Sequence, residues 1–256
     1  MFAKLASTLD RVGLRRVVAK AANLAYSGRS FSVDAHGHWV NEQPECTIVS
    51  PVPHTASFEG FRQWVLHNWT YGYEPKPGDV VVDLGSCAGE EAVVFSKMVG
   101  PEGRVIAVEA EPDIFVCLQE TVARSGLDNV TPVHCAIADT DGETRFGGGA
   151  SHLTNAIGEG KTKVPQLTLD TLTKELDRID FLRTNIEGAE KPMLLGMTES
   201  IGKIRNVCIS CHDFIGRPAK AEVVAFLEAN GFTITTRPGT PPPMRDYVYG
   251  TKRQSL

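Results

Sequence analysis

Residues 80–89 read Val-Val-Val-Asp-Leu-Gly-Ser-Cys-Ala-Gly, an apolar run that leads directly into a turn containing two glycines. A short apolar run bounded by turn residues is typical of a buried parallel strand. Glycine lets the backbone pass close to a ligand because it has no Cβ. The stretch therefore predicts a strand that ends at Asp83 and a loop that binds a ligand. A tight turn without a ligand is the alternative at this point.

Strands and helices alternate along the chain on the C-terminal side of this loop. The further predicted strands are 104–110, 130–138, 179–186, 206–212, 232–236 and 247–251, and the helices are 89–99, 112–125, 169–177 and 217–230. Such alternation implies a parallel sheet with helices on both faces. Only residues 237–246 join the last two strands, too few for a helical crossover, so these strands are predicted to be antiparallel. We expect an α/β fold with a doubly wound, mostly parallel seven-stranded sheet and an antiparallel last strand.

The first 56 residues are predicted to form a cap or accessory unit, and residues 57–256 the main domain, which opens with a helix over 57–71. A helix is expected over 2–26, followed by an extended or hairpin segment over 31–50 that turns near Gly37. Residues 1–30 carry six basic side chains and one acid. We interpret them as a helix that packs on the domain. A transit peptide and a helix on a membrane surface remain alternatives.

Composition narrows the class of protein. The 256 residues suit one large core, and no run of eighteen apolar residues predicts a membrane span. A net charge of −5 argues against a nucleic-acid partner. The six cysteines follow no disulfide framework, so we expect reduced thiols and a cytoplasmic protein. The sequence does not determine the oligomeric state.

A carboxylate ends the second strand of the predicted sheet. The segment Val-Ile-Ala-Val-Glu, residues 105–109, places Glu109 about twenty residues after the glycine loop, where an acid can accept both ribose hydroxyl protons. The DxGxxxG spacing of Asp83–Gly89 is not the GxGxxG of a dinucleotide site. The sequence therefore predicts S-adenosylmethionine (SAM), whose charged tail can meet the loop and the following helix N-terminus. The predicted cofactor-binding residues are Asp83, Gly85, Ser86, Gly89, Glu109, Ala110, Cys135 and Ala136.

Polar residues end the fourth and fifth strands, where we expect the methyl acceptor. The predicted catalytic residues are His212, Glu187, Asn185 and Asp213. His212 is the candidate base because its ordinary pKa of about 6.5 suits proton removal near neutrality, and Asp213 could orient it or replace it. Alternatively, His212 only ends its strand, and Glu187 only accepts N–H groups of its own turn. No metal site is predicted, although Glu187, His212 and Asp213 could together hold a divalent ion.

Several stretches resemble the FkbM family of SAM-dependent methyltransferases, over roughly residues 58–251. They are VVDLGSCAGE (81–90), VIAVEAEPDIF (105–115), LTLDTL (167–172), FLRTNIEGAE (181–190) and SCHDF (210–214). The resemblance implies the Rossmann-like class I methyltransferase fold and O-methylation of a small-molecule, sugar or glycan-like acceptor. The family's usual Lys-Ile-Asp is Arg183-Thr184-Asn185 here, and a neutral Asn is a poor base.

Two other functions remain open at the level of sequence. One is N-methylation of an amide or amine, which the neutral Asn185 makes less remote. The other is a SAM-binding protein that has lost catalysis and acts as a partner.

Overall fold

The structure, a computed structural model, describes residues 14–147, the backbone of 156–157, and residues 160–211, 219–237 and 246–252. Its main sheet has seven strands, of which the last in the chain runs antiparallel to both of its neighbours while the core strands are parallel. From one edge to the other they are β6 (Val130–His134), β5 (Arg104–Glu109), β4 (Val80–Leu84), β11 (Ile179–Thr184), β12 (Ile204–Ser210), β14 (Tyr247–Lys252) and β13 (Phe232–Thr235). The predicted seven-stranded sheet and its antiparallel last strand are confirmed.

Helices cover both faces of this sheet. They are α2 (Phe58–Trp64, continued by a π-helical turn Val65–Trp69), α3 (Glu90–Val99), α4 (Pro112–Arg124), α5 (Leu169–Leu172), α6 (Glu190–Leu195) and α7 (Lys220–Ala229). Neighbouring strand residues point to opposite faces, so Val81 packs in one core layer with Phe95 while Val82 packs in the other with Val223. None of the described helices is long and apolar enough to cross a membrane.

The sequence favours Asp170 or Thr171 as the N-cap of the helix predicted over 169–177, and neither residue caps it. The helix ends at Leu172, and its N-cap is Thr168, whose hydroxyl accepts the N–H of Thr171. Asp170 instead accepts the backbone N–H groups of Thr198 and Ser200, which lie far away in the sequence. Thr168 is a preferred N-cap residue, and Asp170 is unavailable for capping because a more distant turn occupies its carboxylate.

The structure also contains a second, smaller sheet, which the sequence did not predict. The predicted strand 130–138 breaks at Cys135, and its end leaves the main sheet to pair in parallel with a later strand. The four strands, in spatial order, are β7 (Ala136–Ile137), β10 (Thr162–Leu167), β8 (Gly142–Gly147) and β9 (Ala156–Ile157). The break turns Cys135 and Ala136 toward the carboxyl ends of the main strands.

The N-terminal residues form a helix and a three-stranded antiparallel sheet. These are α1 (Arg15–Ala25), β1 (Ser30–Val33), β2 (Trp39–Glu42) and β3 (Thr47–Ser50). The predicted hairpin turn near Gly37 is confirmed, with φ of +85° at this glycine. Part of the predicted helix 2–26 lies outside the described residues. The boundary between residues 56 and 57 stays a prediction.

This N-terminal sheet packs against the back of the glycine loop. Val40 and Val49 form one apolar cluster with Ala88 of the loop and Cys117 of α4. The hydroxyl of Thr121 on α4 accepts the N–H of Val49 at 2.9 Å. The sheet therefore packs on both the glycine loop and α4.

Candidate active site

The glycine loop and the end of β11 are in direct backbone contact. Gly85 has φ of +78°, and a Cβ built on it would lie 2.1 Å from the carbonyl oxygen of Asn185. The N–H of Asn185 donates to the carbonyl of Leu84 at 2.9 Å, which fixes the two strand ends together. Only glycine fits at residue 85, for its backbone conformation and for this close approach.

A crevice opens at this point, at the carboxyl ends of β4, β5 and β11. It encloses about 630 Å³ of space, which includes its mouth open to solvent. The strand order reverses here, because β5 follows on one side of β4 and β11 pairs on the other. Seven of the predicted site residues line the crevice: Gly85, Glu109, Ala110, Cys135, Ala136, Asn185 and Glu187.

Glu109 is held in one orientation by two backbone donors. Its Oε2 accepts the N–H of Cys87 at 3.0 Å, and its Oε1 accepts the N–H of Glu111 at 2.8 Å. Burial raises the pKa of this carboxyl to about 7, against the lowering effect of these backbone hydrogen bonds. Each oxygen of an ionised carboxylate keeps a further acceptor position. Glu109 can therefore accept two hydroxyl groups from a ligand in the crevice.

Two crevice residues adopt a backbone conformation that is costly for any residue with a side chain. Cys87 has φ of +50° and Glu187 has φ of +51°, and they are the two non-glycine residues with positive φ in the described part of the chain. Both line the crevice, one from each wall. Such residues concentrate at functional sites, where the surrounding structure holds them in place. At Cys87 this backbone turn also supplies the amide that Glu109 accepts.

Asp83, Ser86 and Gly89 do not line the crevice. Ser86 donates its hydroxyl to the buried carboxylate of Asp83 at 2.6 Å, and a Cβ on Gly89 would lie 2.9 Å from Leu118 of α4. We therefore propose that these three residues serve the cofactor by shaping the loop and by letting α4 pack close to it.

Arg183 is a residue whose role the sequence reasoning missed. Its buried guanidinium donates from Nη1 to Asp83 Oδ1 and to the carbonyl of Gly85, each at 2.9 Å. Nη2 lies 3.6 Å from Glu91, and the group stacks 3.9 Å above the ring of Trp69. A charged residue inside a buried strand needs a buried partner, and that signal was present in the sequence. Arg183 thus ties β11 to the glycine loop.

Arg183→Met is expected to lower the free energy of unfolding by about 3–5 kcal/mol, because it leaves the buried Asp83 carboxylate unpaired. Chemical denaturation measures the loss. The matched control is Arg178→Met, whose partner Asp180 keeps its second ion pair with Arg205. We expect the control to lower the free energy of unfolding by less than about 1 kcal/mol. Equal effects of the two substitutions would contradict this role of Arg183.

His212 and Asp213 lie outside the described residues, so their predicted roles stay predictions. Strand β12 ends at Ser210, and Cys211 donates its N–H to the carbonyl of Asp246 at 3.1 Å. Within the described ranges, no group of three or more His, Cys, Asp or Glu side chains is arranged to hold a metal ion. The cysteines of the chain are free thiols, and all but Cys87 are buried.

Known proteins show similarity to this chain at the level of both sequence and fold. The hexuronic acid methyltransferase AglP of Haloferax volcanii is 26% identical over 144 residues, 54% of this chain and 58% of AglP. The 31-O-demethyl-FK506 methyltransferase FkbM of Streptomyces tacrolimicus is 25% identical over 202 residues, 64% of this chain and 76% of that protein. The chain thus spans less than two thirds of AglP.

Among solved structures, a methyltransferase FkbM from Methylobacillus flagellatus superposes with a TM-score of 0.52 at 17% identity. The match covers 68% of this chain and 43% of the other, and it supports the fold. Residues 83–234, more than half of the chain, match the methyltransferase FkbM domain. The match includes the glycine loop, Glu109 and the end of β11, and with it the chain belongs to the FkbM family of SAM-dependent methyltransferases.

Proposed function

We propose that the chain transfers the methyl group of SAM to a hydroxyl of a sugar, a glycan-like molecule or another small natural product. The observation that carries the proposal is the placement of Gly85 and Glu109 side by side at neighbouring strand ends, on one crevice. The two relatives named above are a hexuronic acid methyltransferase and a 31-O-demethyl-FK506 methyltransferase, which supports an oxygen acceptor.

The residues of the crevice fit SAM in chemistry. Gly85 lets the glycine loop lie directly against the end of β11, and Glu109 offers two acceptor positions for the ribose hydroxyls. Cys135 and Ala136 form the wall at the end of β6, on the adenine side in our assignment. When bound, SAM supplies an electrophilic methyl group that an acceptor atom can displace in line.

The opposite wall is assigned to the methyl acceptor. Asn185 and Glu187 reach the crevice from the end of β11, across from Glu109. An acceptor hydroxyl must be held close to the methyl carbon, so positioning is a large part of the rate. Asn185 can hydrogen-bond a hydroxyl but carries no charge, and we therefore assign positioning to Asn185 and Glu187.

We assign removal of the hydroxyl proton to His212, with Asp213 as the group that orients it or acts instead. A base of this kind contributes about 10²- to 10⁴-fold to the rate. A His212→Ala variant that turned over at the wild-type rate would remove this assignment.

The proposed function is tested with methyl-labelled SAM and pools of acceptors: uronic acids and their glycosides, other sugars, hydroxylated natural products, and peptides or amines. We expect label in a sugar or natural-product pool, with mass spectrometry locating the methyl group on oxygen. Methylation on nitrogen would favour the alternative of an amide or amine acceptor. Binding of S-adenosylhomocysteine without transfer to any pool would favour a non-catalytic partner protein.

A further inference from the structure

Helix α1 exposes an apolar stripe on the side that faces away from the protein. Its inner face packs Val18, Ala19 and Ala22 against the N-terminal sheet. On the outer side, Leu24 is 92% exposed, Val17 59% and Leu14, directly before the helix, 42%. These are three of the large apolar side chains that the described structure leaves in solvent.

The spacing of these residues makes them one continuous surface. Leu14, Val17, Ala21 and Leu24 follow one another at intervals of three and four residues, so they share one face of a helix. Single exposed apolar residues are common on protein surfaces and need no explanation. Helix α1 has a buried apolar face and, separate from it, an exposed apolar stripe. Packing on the N-terminal sheet explains the buried face but not the exposed stripe.

Unpaired cations flank the stripe. Arg16 and Lys20 are exposed on the same outer side of α1, and in the described part of the chain neither forms an ion pair. Residues 14–30 carry four basic side chains and no acid, whereas the whole chain has a net charge of −5. Positive charge is therefore concentrated around this apolar stripe in a chain whose net charge is negative.

We propose that α1 binds the surface of an anionic phospholipid membrane. The stripe enters the boundary between headgroups and acyl chains, and Arg16 and Lys20 contact the anionic headgroups. Apolar residues beside basic ones on a helix are the pattern of interfacial membrane binding. Nucleic acid offers phosphates but no apolar surface for Val17 and Leu24.

A second copy of the chain is the less favourable occupant. Two copies that paired through this face would bring the same cations together across a symmetric interface. That like-charge contact is unfavourable, and an anionic lipid surface removes it.

The test is co-sedimentation of the full chain with vesicles of phosphatidylcholine alone and of phosphatidylcholine with phosphatidylserine. We expect binding to the anionic vesicles and release in about 1 M salt, where the screening length falls to about 3 Å. The double variant Val17→Glu/Leu24→Glu is expected to lose binding by about tenfold or more. The matched control is Leu195→Glu on α6, where Leu195 is 67% exposed, and it should bind as the wild type does.

The double variant replaces only exposed side chains, and its thermal melt checks that it folds. Equal binding by the double variant and wild type would overturn the proposal. So would the absence of binding to anionic vesicles, or equal binding to neutral and anionic vesicles. Light scattering distinguishes the remaining occupant: a wild-type dimer that the double variant converts to a monomer, without vesicle binding, would assign the face to a second copy.

Discussion

Glu109→Gln is expected to weaken the binding of S-adenosylhomocysteine by about tenfold or more at pH 8. The substitution keeps the size of the side chain but removes the charge and one of the two acceptor oxygens. Charge-assisted hydrogen bonds are about twice as strong as neutral ones, so the ribose loses its strongest contact. The new NH₂ group also opposes one of the two backbone N–H groups that orient the carboxylate. Isothermal titration calorimetry measures the dissociation constant.

The same residue predicts a pH dependence of binding with a defined sign. The pKa of Glu109 is raised by burial to about 7 in the ligand-free protein, and the ionised form is the one that accepts two hydroxyls. Lowering the pH through 7 protonates it, so affinity should fall at acid pH and level off above pH 8. One pH unit below the pKa, about a tenth of the carboxyl is ionised and the loss approaches tenfold.

Variants of Glu109 and of its neighbour Glu111 distinguish the titration of Glu109 from a general effect of pH on binding. Glu109→Gln should abolish the pH dependence. Glu111→Gln should keep it, with the midpoint at a lower pH, because the charge of Glu111 raises the pKa of Glu109. Wild-type affinity in Glu109→Gln, or the same pH dependence in both variants, would contradict the ribose assignment.

Gly85→Ala is expected to abolish cofactor binding and to destabilise the protein by about 3 kcal/mol. A left-handed backbone costs an alanine about 1–2 kcal/mol, and forcing a methyl group into a packed site costs a further 1–3 kcal/mol or so. The methyl carbon would lie 2.1 Å from the Asn185 carbonyl oxygen, so β4 and β11 would have to separate. Calorimetry with S-adenosylhomocysteine and chemical denaturation measure the two effects.

Gly78 offers a matched control for this substitution. Its φ is +86°, close to the +78° of Gly85, but a Cβ on Gly78 would meet no atom within 4 Å. Gly78→Ala should therefore lower the free energy of unfolding only by the cost of a left-handed backbone, about 1–2 kcal/mol. It should leave cofactor affinity unchanged. If both alanine variants lost stability equally and bound S-adenosylhomocysteine alike, the close approach of Gly85 to β11 would have no energetic consequence.

The main sheet could be predicted because its signals are local and apolar. The run Val80–Val82 and the carboxylate at Glu109 mark the ends of buried strands. The connection of residues 237–246 is too short for the helical crossover that two parallel strands would need. These features also predicted most of the crevice. Residues from neighbouring parallel strands meet at one edge of the sheet, so strand ends that are distant in sequence converge there.

The small sheet could not be predicted, because β8 has the sequence Gly-Glu-Thr-Arg-Phe-Gly. None of its residues is buried, and Phe146 is its one large apolar side chain, so no apolar alternation marks the strand. The break at Cys135 and the left-handed conformation of Glu187 depend on tertiary contacts. Arg183 was visible as a charge in a buried strand, but its partners Asp83 and Glu91 precede it by 100 and 92 residues, respectively.

The central claim is that the glycine loop and Glu109 together form the cofactor site. A crystal structure of the protein with S-adenosylhomocysteine tests it most directly. We predict the ligand in the crevice beside Gly85, with both ribose hydroxyls about 2.7 Å from the carboxylate oxygens of Glu109, the distance of a charged hydrogen bond. Ligand bound elsewhere with this crevice empty, or a ribose turned away from Glu109, would contradict it.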